Sequence, residues 1–286
     1  DMAVSLNGHR FSGAELSSIV RSLVEHPLPA GRSAIPGLDA KRADIIVAGS
    51  MILEEIGKAL GIDAYQYSDF ALREGVLVET AQRRGILEAE PEDPARSSAL
   101  RLAERCSVDI DHAVHVGDLA RQLMRGLGRY YSFDDSLVKL AEIAGILARV
   151  GAAIAYSKYH LHSYYMIRNA DLMGLTDDEV ETVALAVRYH RKSGPKSSHD
   201  EFARLSTARQ HDVELIAAVL RIASGLDRAR DRSVEGLSVS SNGDRSIISL
   251  RVRPDSGDGL ELNVYTAQNR TGMLREFLDS DIIVRT

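Results

Sequence analysis

The chain of 286 residues has one cysteine, no long hydrophobic run and no excess of positive charge. The single thiol, Cys106, can form neither an internal disulfide nor a cysteine-based zinc site, which fits a reducing cytoplasm. No apolar run approaches the ~20 residues of a membrane span, since Arg149 interrupts even the segment 141–154. Acidic residues outnumber basic ones by 41 to 35, so a polyanionic partner must be held by a local basic cluster. We therefore expect a cytoplasmic protein without a membrane segment.

Aromatic residues are also few, at 5% of the chain, and they are not interleaved with a long basic stripe. Stacking platforms for single-stranded nucleic acid need such a pattern, so its absence disfavours a nucleic-acid partner. No nucleophile constellation and no glycine-rich phosphate loop is visible. The lone Gly49 is more typical of a tight turn than of a phosphate cradle.

The fold class predicted from the pattern is α+β and mainly helical, and the length predicts about two larger domains. Residues 1–85 alternate between helices and strands, and the polar, proline-broken segment 86–98 is typical of a linker. Residues 99–230 are predicted to form a helical bundle, and residues 231–286 a small β-rich subdomain.

In the first part, a helix is predicted to begin near Ser12, and Ile45–Ala48 is predicted to be a strand buried on both faces. A second strand is predicted over 64–68 and a helix over 72–83. Two core strands are too few for a free-standing doubly wound domain, which indicates that N-terminal strands are missing.

Four stripes of apolar residues at helical spacing predict the bundle. They contain Ala113, Val116, Leu119, Ala120, Leu123, Met124 and Leu127, then Leu137, Leu140, Ala141, Ala144 and Leu147, then Val180, Val183, Ala184 and Val187, and finally Val213, Ile216, Leu220 and Ala223. Beyond them, alternation with period two predicts strands at 237–239, 246–252 and 260–264, followed by a helix over 273–278 and a strand over 282–284.

Seven of the nine histidines lie in the helical part, so a metal-dependent phosphohydrolase site of the His…His-Asp…Asp type is the first hypothesis to test. His112 stands where the first ligand belongs. However, Ala148 and Arg149 occupy the positions of the His-Asp pair, and Ser224 occupies that of the last aspartate. A fixed positive charge at the metal position argues for a scaffold that has lost its ligands, so no metal is predicted.

A second constellation combines histidines with basic residues in two neighbouring segments. Its members are Lys158, His160, His162, Arg188, His190, Arg191 and Lys192. Arginine forks, lysine charges and imidazole donors together suit phosphate oxygens, so the cluster is predicted to bind a polyanion. A solvated helix end that complements the helix dipole is the structural alternative, and a metal pair formed by His160 and His162 is another.

Three ordered stretches resemble the exopolyphosphatase / guanosine pentaphosphate phosphohydrolase family. Residues 35–77 are similar to the end of its second actin-like lobe, and residues 160–192 to the histidine-rich part of its helical domain. Residues 260–277 are similar to its closing strand-and-helix unit. The resemblance implies a partial ribonuclease-H-like (actin-like) α/β lobe, then an HD-type helical bundle with degenerate ligands, then the small C-terminal subdomain.

The resemblance also implies hydrolysis of phosphoanhydrides in polyphosphate or guanosine pentaphosphate, with Mg²⁺ in the full-length enzyme. The family's catalytic glutamate and phosphate loops have no counterpart here, so we predict no catalytic residue and no cofactor in this chain. Polyphosphate, or another phosphate-rich anion, and a second copy in a homodimer are the expected partners. A stand-alone regulatory module without catalysis is the alternative.

Overall fold

A computed structural model describes residues 7–84, 93–242, 244–254 and 257–286. The chain divides into two compact units, Asp1–Ala81 and Gln82–Thr286. Both are mainly helical with small sheets, so the α+β class expected from the sequence is confirmed at that level. Within the described ranges, no helix is both long enough and apolar enough to cross a membrane.

Among its described residues, the first unit contains two strands of three residues each, three helices of 12 to 15 residues and two shorter helical segments. Its elements are β1 (Arg10–Ser12), α1 (Gly13–Glu25), α2 (Pro29–Arg32), a 3₁₀ helix (Ala40–Arg42), α3 (Ile46–Leu60), β2 (Ala64–Gln66) and α4 (Leu72–Arg83), which ends just past the unit boundary. Strands β1 and β2 pair in an antiparallel sheet, in which Phe11 stacks on Tyr65. Ser12 and Glu15 form a capping box, which explains why α1 begins where the sequence predicted.

The buried strand predicted over Ile45–Ala48 is wrong, because these residues open helix α3. A four-residue apolar run looks alike in a buried strand and in a helix, and here no partner strand pairs with it. Gly49, which was expected to form a tight turn, lies inside the helix. Ile45 and several apolar side chains of α3, including Met51 and Ile52, are exposed in this unit.

The second unit is built on a helical bundle, followed by a small sheet and two helices. The bundle contains α5 (Pro94–Arg105), α6 (Ile110–Leu127), α7 (Ser136–Leu147), a 3₁₀ helix (Val150–Ala153), α8 (Tyr159–Arg168), α9 (Asp177–Tyr189), α10 (Asp200–Ala203) and α11 (Thr207–Leu226). Part of the predicted linker, 86–92, lies outside the described residues. Residues 94–98 form the start of α5, with Pro94 at its first position and Asp93 as its cap.

The four predicted apolar stripes correspond to α6, α7, α9 and α11, and the structure confirms their burial. Helices α6 and α7 approach most closely at two glycines. A Cβ on Gly145 would lie 2.5 Å from the Gly117 Cα, a distance that real Cβ atoms do not adopt. This close crossing brings the start of α6 beside the end of α7, where His112 and Arg149 are located.

The C-terminal part of this unit contains a three-stranded sheet and two helices, namely β3 (Val234–Ser241), β4 (Arg245–Val252), α12 (Asp258–Gln268), α13 (Gly272–Leu278) and β5 (Asp281–Arg285). Strand β4 is central, antiparallel to β3 and parallel to β5. The strand predicted over 260–264 is wrong, because these residues lie in helix α12. Its buried residues, Asn263 and Ala267, are four apart, and the polar Asn263 concealed that helical spacing.

Candidate functional site

An open groove lies between the start of α8 and the end of α9, where the sequence predicted a polyanion site. The structure brings five of the seven predicted residues into its lining, namely Lys158, His160, Arg188, Arg191 and Lys192. Leu161, Tyr189, Ser193 and His199 complete the lining. The groove has a volume of about 290 Å³, which is many times the roughly 10–15 Å³ that one water molecule needs by the same measure.

The cations of this groove differ in whether a carboxylate neutralises them. Arg188 forms an ion pair with Glu201 at 3.2 Å and lies over the rings of Tyr164 and Tyr189. Lys158, Arg191 and Lys192 form no ion pair with any described residue. Three positive charges at the groove therefore remain available to an anion.

Two of these cations have a positive φ angle, a backbone conformation that residues other than glycine seldom adopt. Lys158 has φ +54° and caps α8, and Lys192 has φ +64° just beyond α9. A non-glycine residue in the left-handed region costs on the order of 1 kcal/mol and occurs mostly where the surrounding structure holds it. Both lysines are exposed at these two turns, which bound the groove.

His160 is the least usual member of the groove, because it is 95% buried and its Nδ1 atom has no hydrogen-bond partner among the described residues. Burial lowers the pKa of His160 to about 4, and the charges of Arg191, Lys192 and Arg188 act in the same direction. The imidazole is therefore neutral at physiological pH, so it contributes hydrogen-bonding capacity rather than charge.

The two remaining predicted residues do not line the groove. His162 is half-buried on α8, and its backbone carbonyl carbon lies close to Gly151. His190 is buried: its Nδ1–H donates to the Val187 carbonyl, so its Nε2 accepts from the Tyr159 hydroxyl at 3.3 Å. Burial lowers the pKa of His190 to about 3, and it lines a separate cavity.

That separate cavity occupies the place where the sequence was tested for metal ligands. His112, Ala148, Arg149 and Ser224 all line it, so the structure brings the four tested positions together. The sequence analysis missed Asp227, which is completely buried and accepts a hydrogen bond from His112 Nδ1 at 2.6 Å. Its position, three residues after Ser224 at the end of α11, was the available indication.

The residues of this cavity do not fit a divalent cation. His112 and Asp227 are paired with each other, and Arg149 brings a guanidinium where two further ligands would be needed. More widely, the described ranges contain no group of three His, Cys, Asp or Glu side chains that could hold a metal ion. The lining of this cavity therefore does not suit Mg²⁺.

Both units match models of known protein families. Residues 95–264 match the model of the Ppx/GppA phosphatase, domain III, and residues 2–84 match that of the Ppx/GppA phosphatase family. The chain belongs to the Ppx/GppA phosphatase family. The family resemblance inferred from three stretches of sequence is thereby confirmed.

Curated relatives within the Ppx/GppA family align with only part of their own length. A guanosine-5′-triphosphate,3′-diphosphate pyrophosphatase of Aliivibrio fischeri (strain ATCC 700601 / ES114) is 29% identical over 202 residues, which are 69% of this chain and 38% of that protein. The enzyme of the same name from Pseudoalteromonas translucida (strain TAC 125) is 27% identical over 184 residues, which are 64% of this chain and 36% of that protein. This chain thus spans well under half of the relatives it matches.

Proposed function

We propose that this chain is the C-terminal portion of a Ppx/GppA-type phosphoanhydride hydrolase, and that it holds the phosphate chain of the substrate rather than cleaving it. Polyphosphate or a guanosine pentaphosphate is the substrate class. The proposal is supported chiefly by the groove, where Lys158, Arg191 and Lys192 have no carboxylate partner among the residues that the structure describes. Cleaving a phosphoanhydride requires groups that stabilise developing charge and position a water. We place those groups in a part of the enzyme outside this chain.

The exposed apolar side chains of the first unit support the same assignment. Helix α3 leaves Met51, Ile52 and Ile56 in contact with solvent, and the sheet formed by the described residues of this unit has two strands. A small sheet with an uncovered apolar helix is typical of part of a domain. We propose that residues 1–85 are the end of an actin-like lobe that is completed by further strands.

A titration with polyphosphate at two salt concentrations tests the groove. Because each phosphate contact releases counterions, three contacts predict that log K falls with log salt concentration with a slope of roughly −2 to −3. The double variant Arg191→Ala/Lys192→Ala should bind more weakly and with a shallower slope. Arg245→Ala/Arg251→Ala on β4 is the matched control, since it removes the same charge from exposed side chains elsewhere.

Equal loss of affinity in both double variants would show that the groove is only a solvated helix end. No binding at low salt would refute the proposal. Release of phosphate from polyphosphate by this chain alone would instead place catalysis within it. A stand-alone regulatory module is the alternative function, and it predicts a native protein without the remaining part of the enzyme. The proposed homodimer is tested separately by sedimentation equilibrium.

A further inference from the structure

The cavity beside His112 is lined by several arginines, whose positive charges would repel a metal cation. Four guanidinium groups line it, contributed by Arg149 after α7, Arg228 and Arg230 after α11, and Arg270 after α12. These arginines come from three separate segments of the second unit, so the fold brings them together rather than the sequence. Like charges that line one cavity repel each other, so an anion bound between them would be stabilised.

Carboxylates do not supply that stabilisation. Among the described residues, Asp227 is the sole acidic residue in the lining, and its two oxygens accept from His112 Nδ1 and from the Arg232 backbone N–H. Arg230 reaches Asp109 at 3.6 Å, on the solvent side. Arg149, Arg228 and Arg270 form no ion pair with any residue that the structure describes.

Neutral partners instead hold two of these arginines in place. Arg149 lies over the ring of Tyr159 at 4.9 Å from Cζ to the ring centroid, and Arg270 donates to Ser224 Oγ at 3.1 Å. Burial lowers the pKa of Arg270, and the neighbouring charges of Arg228 and Arg191 act in the same direction. Both side chains are thus fixed and directed without being neutralised, as in preorganised anion sites.

The size of the cavity limits what enters it. Its volume is about 40 Å³, by a measure on which one water molecule needs roughly 10–15 Å³. That space holds about three waters, or one tetrahedral oxyanion, whereas the groove beside α8 is several times larger. The cavity by itself matches one phosphate group better than a polyphosphate chain, and a larger pocket shares His112, Arg149 and Arg230 with it.

We propose that this cavity is a second anion site, which binds one phosphate group, as inorganic phosphate or as the terminal group of a phosphomonoester. Arg149 and Arg270 are the principal ligands, and Arg228 lies at the mouth. The scaffold of a metal-dependent phosphohydrolase thus keeps its affinity for phosphate, with guanidinium groups at the position of the cation. The cavity and the polyanion groove share no lining residue, although Arg191 and Arg221 lie near both.

Isothermal titration of the whole chain with inorganic phosphate at low salt tests this site. We expect one phosphate per chain, with competition by sulfate, which has the same shape. Arg149→Gln and Arg270→Gln should each weaken binding by roughly 10- to 100-fold, the usual effect of removing a hydrogen bond to a charged group. Glutamine at position 270 retains an N–H for Ser224, which protects the fold. Arg251→Gln on β4 changes the net charge equally at an exposed site and should bind normally.

Two further measurements separate this proposal from the groove and from misfolding. Lys158→Ala/Lys192→Ala should lose polyphosphate affinity but bind inorganic phosphate as the unaltered chain does. In the absence of phosphate, Arg270→Gln should melt no lower than the unaltered chain, because it removes one of several repelling charges. Unchanged phosphate affinity in both cavity variants, or loss of it in the groove variant, would overturn the proposal. Absence of saturable phosphate binding would overturn it equally.

Discussion

Acidification should destabilise the helical unit through one buried imidazole, that of His190. Burial lowers the pKa of His190 to about 3, and the charges of Arg270 and Arg221 act in the same direction, against the hydrogen bond to the Val187 carbonyl. A histidine in an unfolded chain has a pKa of about 6.5. Between about pH 6.5 and pH 3 the unfolded chain therefore binds a proton that the folded chain does not. The free energy of unfolding falls as the pH falls through this window.

The size of this effect follows from the two pKa values. Between pH 7 and pH 4.5 the contribution of His190 to the free energy of unfolding should fall by about 2 to 3 kcal/mol, at about 1.4 kcal/mol per pH unit below pH 6. The variant His190→Gln cannot take up a proton and lacks this term. Titrations of carboxylates and of the other histidines are common to both proteins and cancel in the comparison.

The assay is urea unfolding of both proteins at pH 7 and at pH 4.5, followed by far-ultraviolet circular dichroism. The variant is expected to be less stable at pH 7, since it loses the Tyr159 hydrogen bond, but to lose less stability on acidification. A difference that is the same at the two pH values would show that His190 is protonated in the folded protein, and the assignment of a neutral, buried imidazole would then fail.

Two further predictions concern packing and capping in the same unit. Gly145→Ala should destabilise this unit by about 1–3 kcal/mol, because the added Cβ would overlap the backbone of α6. The control Gly272→Ala places its Cβ in open space and should be nearly neutral. Equal thermal midpoints for the two variants would contradict the close crossing of α6 and α7. Thr176→Ala should lower the free energy of unfolding by about 1 kcal/mol, because Thr176 and Glu179 form the capping box that begins α9. Chemical denaturation measures this loss. An unchanged denaturation midpoint would show that packing alone determines where the helix begins.

The bundle was predictable from the sequence because its helices bury one face each, and burial repeats at a fixed spacing. Helix α6 illustrates this, since its stripe from Ala113 to Leu127 is buried throughout. The predictions were wrong at two segments whose local sequence does not determine whether they form a helix or a strand. Ile45–Ala48 is too short to separate helix from strand, and Asn263 replaces an apolar residue on the buried face of α12.

The groove and the cavity also differ in how far each could be predicted from the sequence. The groove arises from two segments that are each rich in histidine and basic residues, so composition alone indicated it. The cavity is lined by arginines from three separate segments. The sequence pattern indicated only Arg149, as a positive charge at the expected metal position. Convergence of isolated residues such as Arg270 depends on tertiary packing, which the sequence does not display in any one window.

The buried amide of Asn263 links the C-terminal subdomain to the arginine cavity. Its Oδ1 accepts from the Ala229 backbone N–H, and its Nδ2 donates to Asp231 and Ser233. These three partners belong to the segment that carries Arg228 and Arg230. A fragment truncated at the predicted domain boundary after residue 230 would keep every helix of the bundle and yet release this segment from its anchor. Helix α12 therefore anchors a segment that lines the cavity, so any excision of the helical domain should extend through Arg270, which lines the cavity just after this helix.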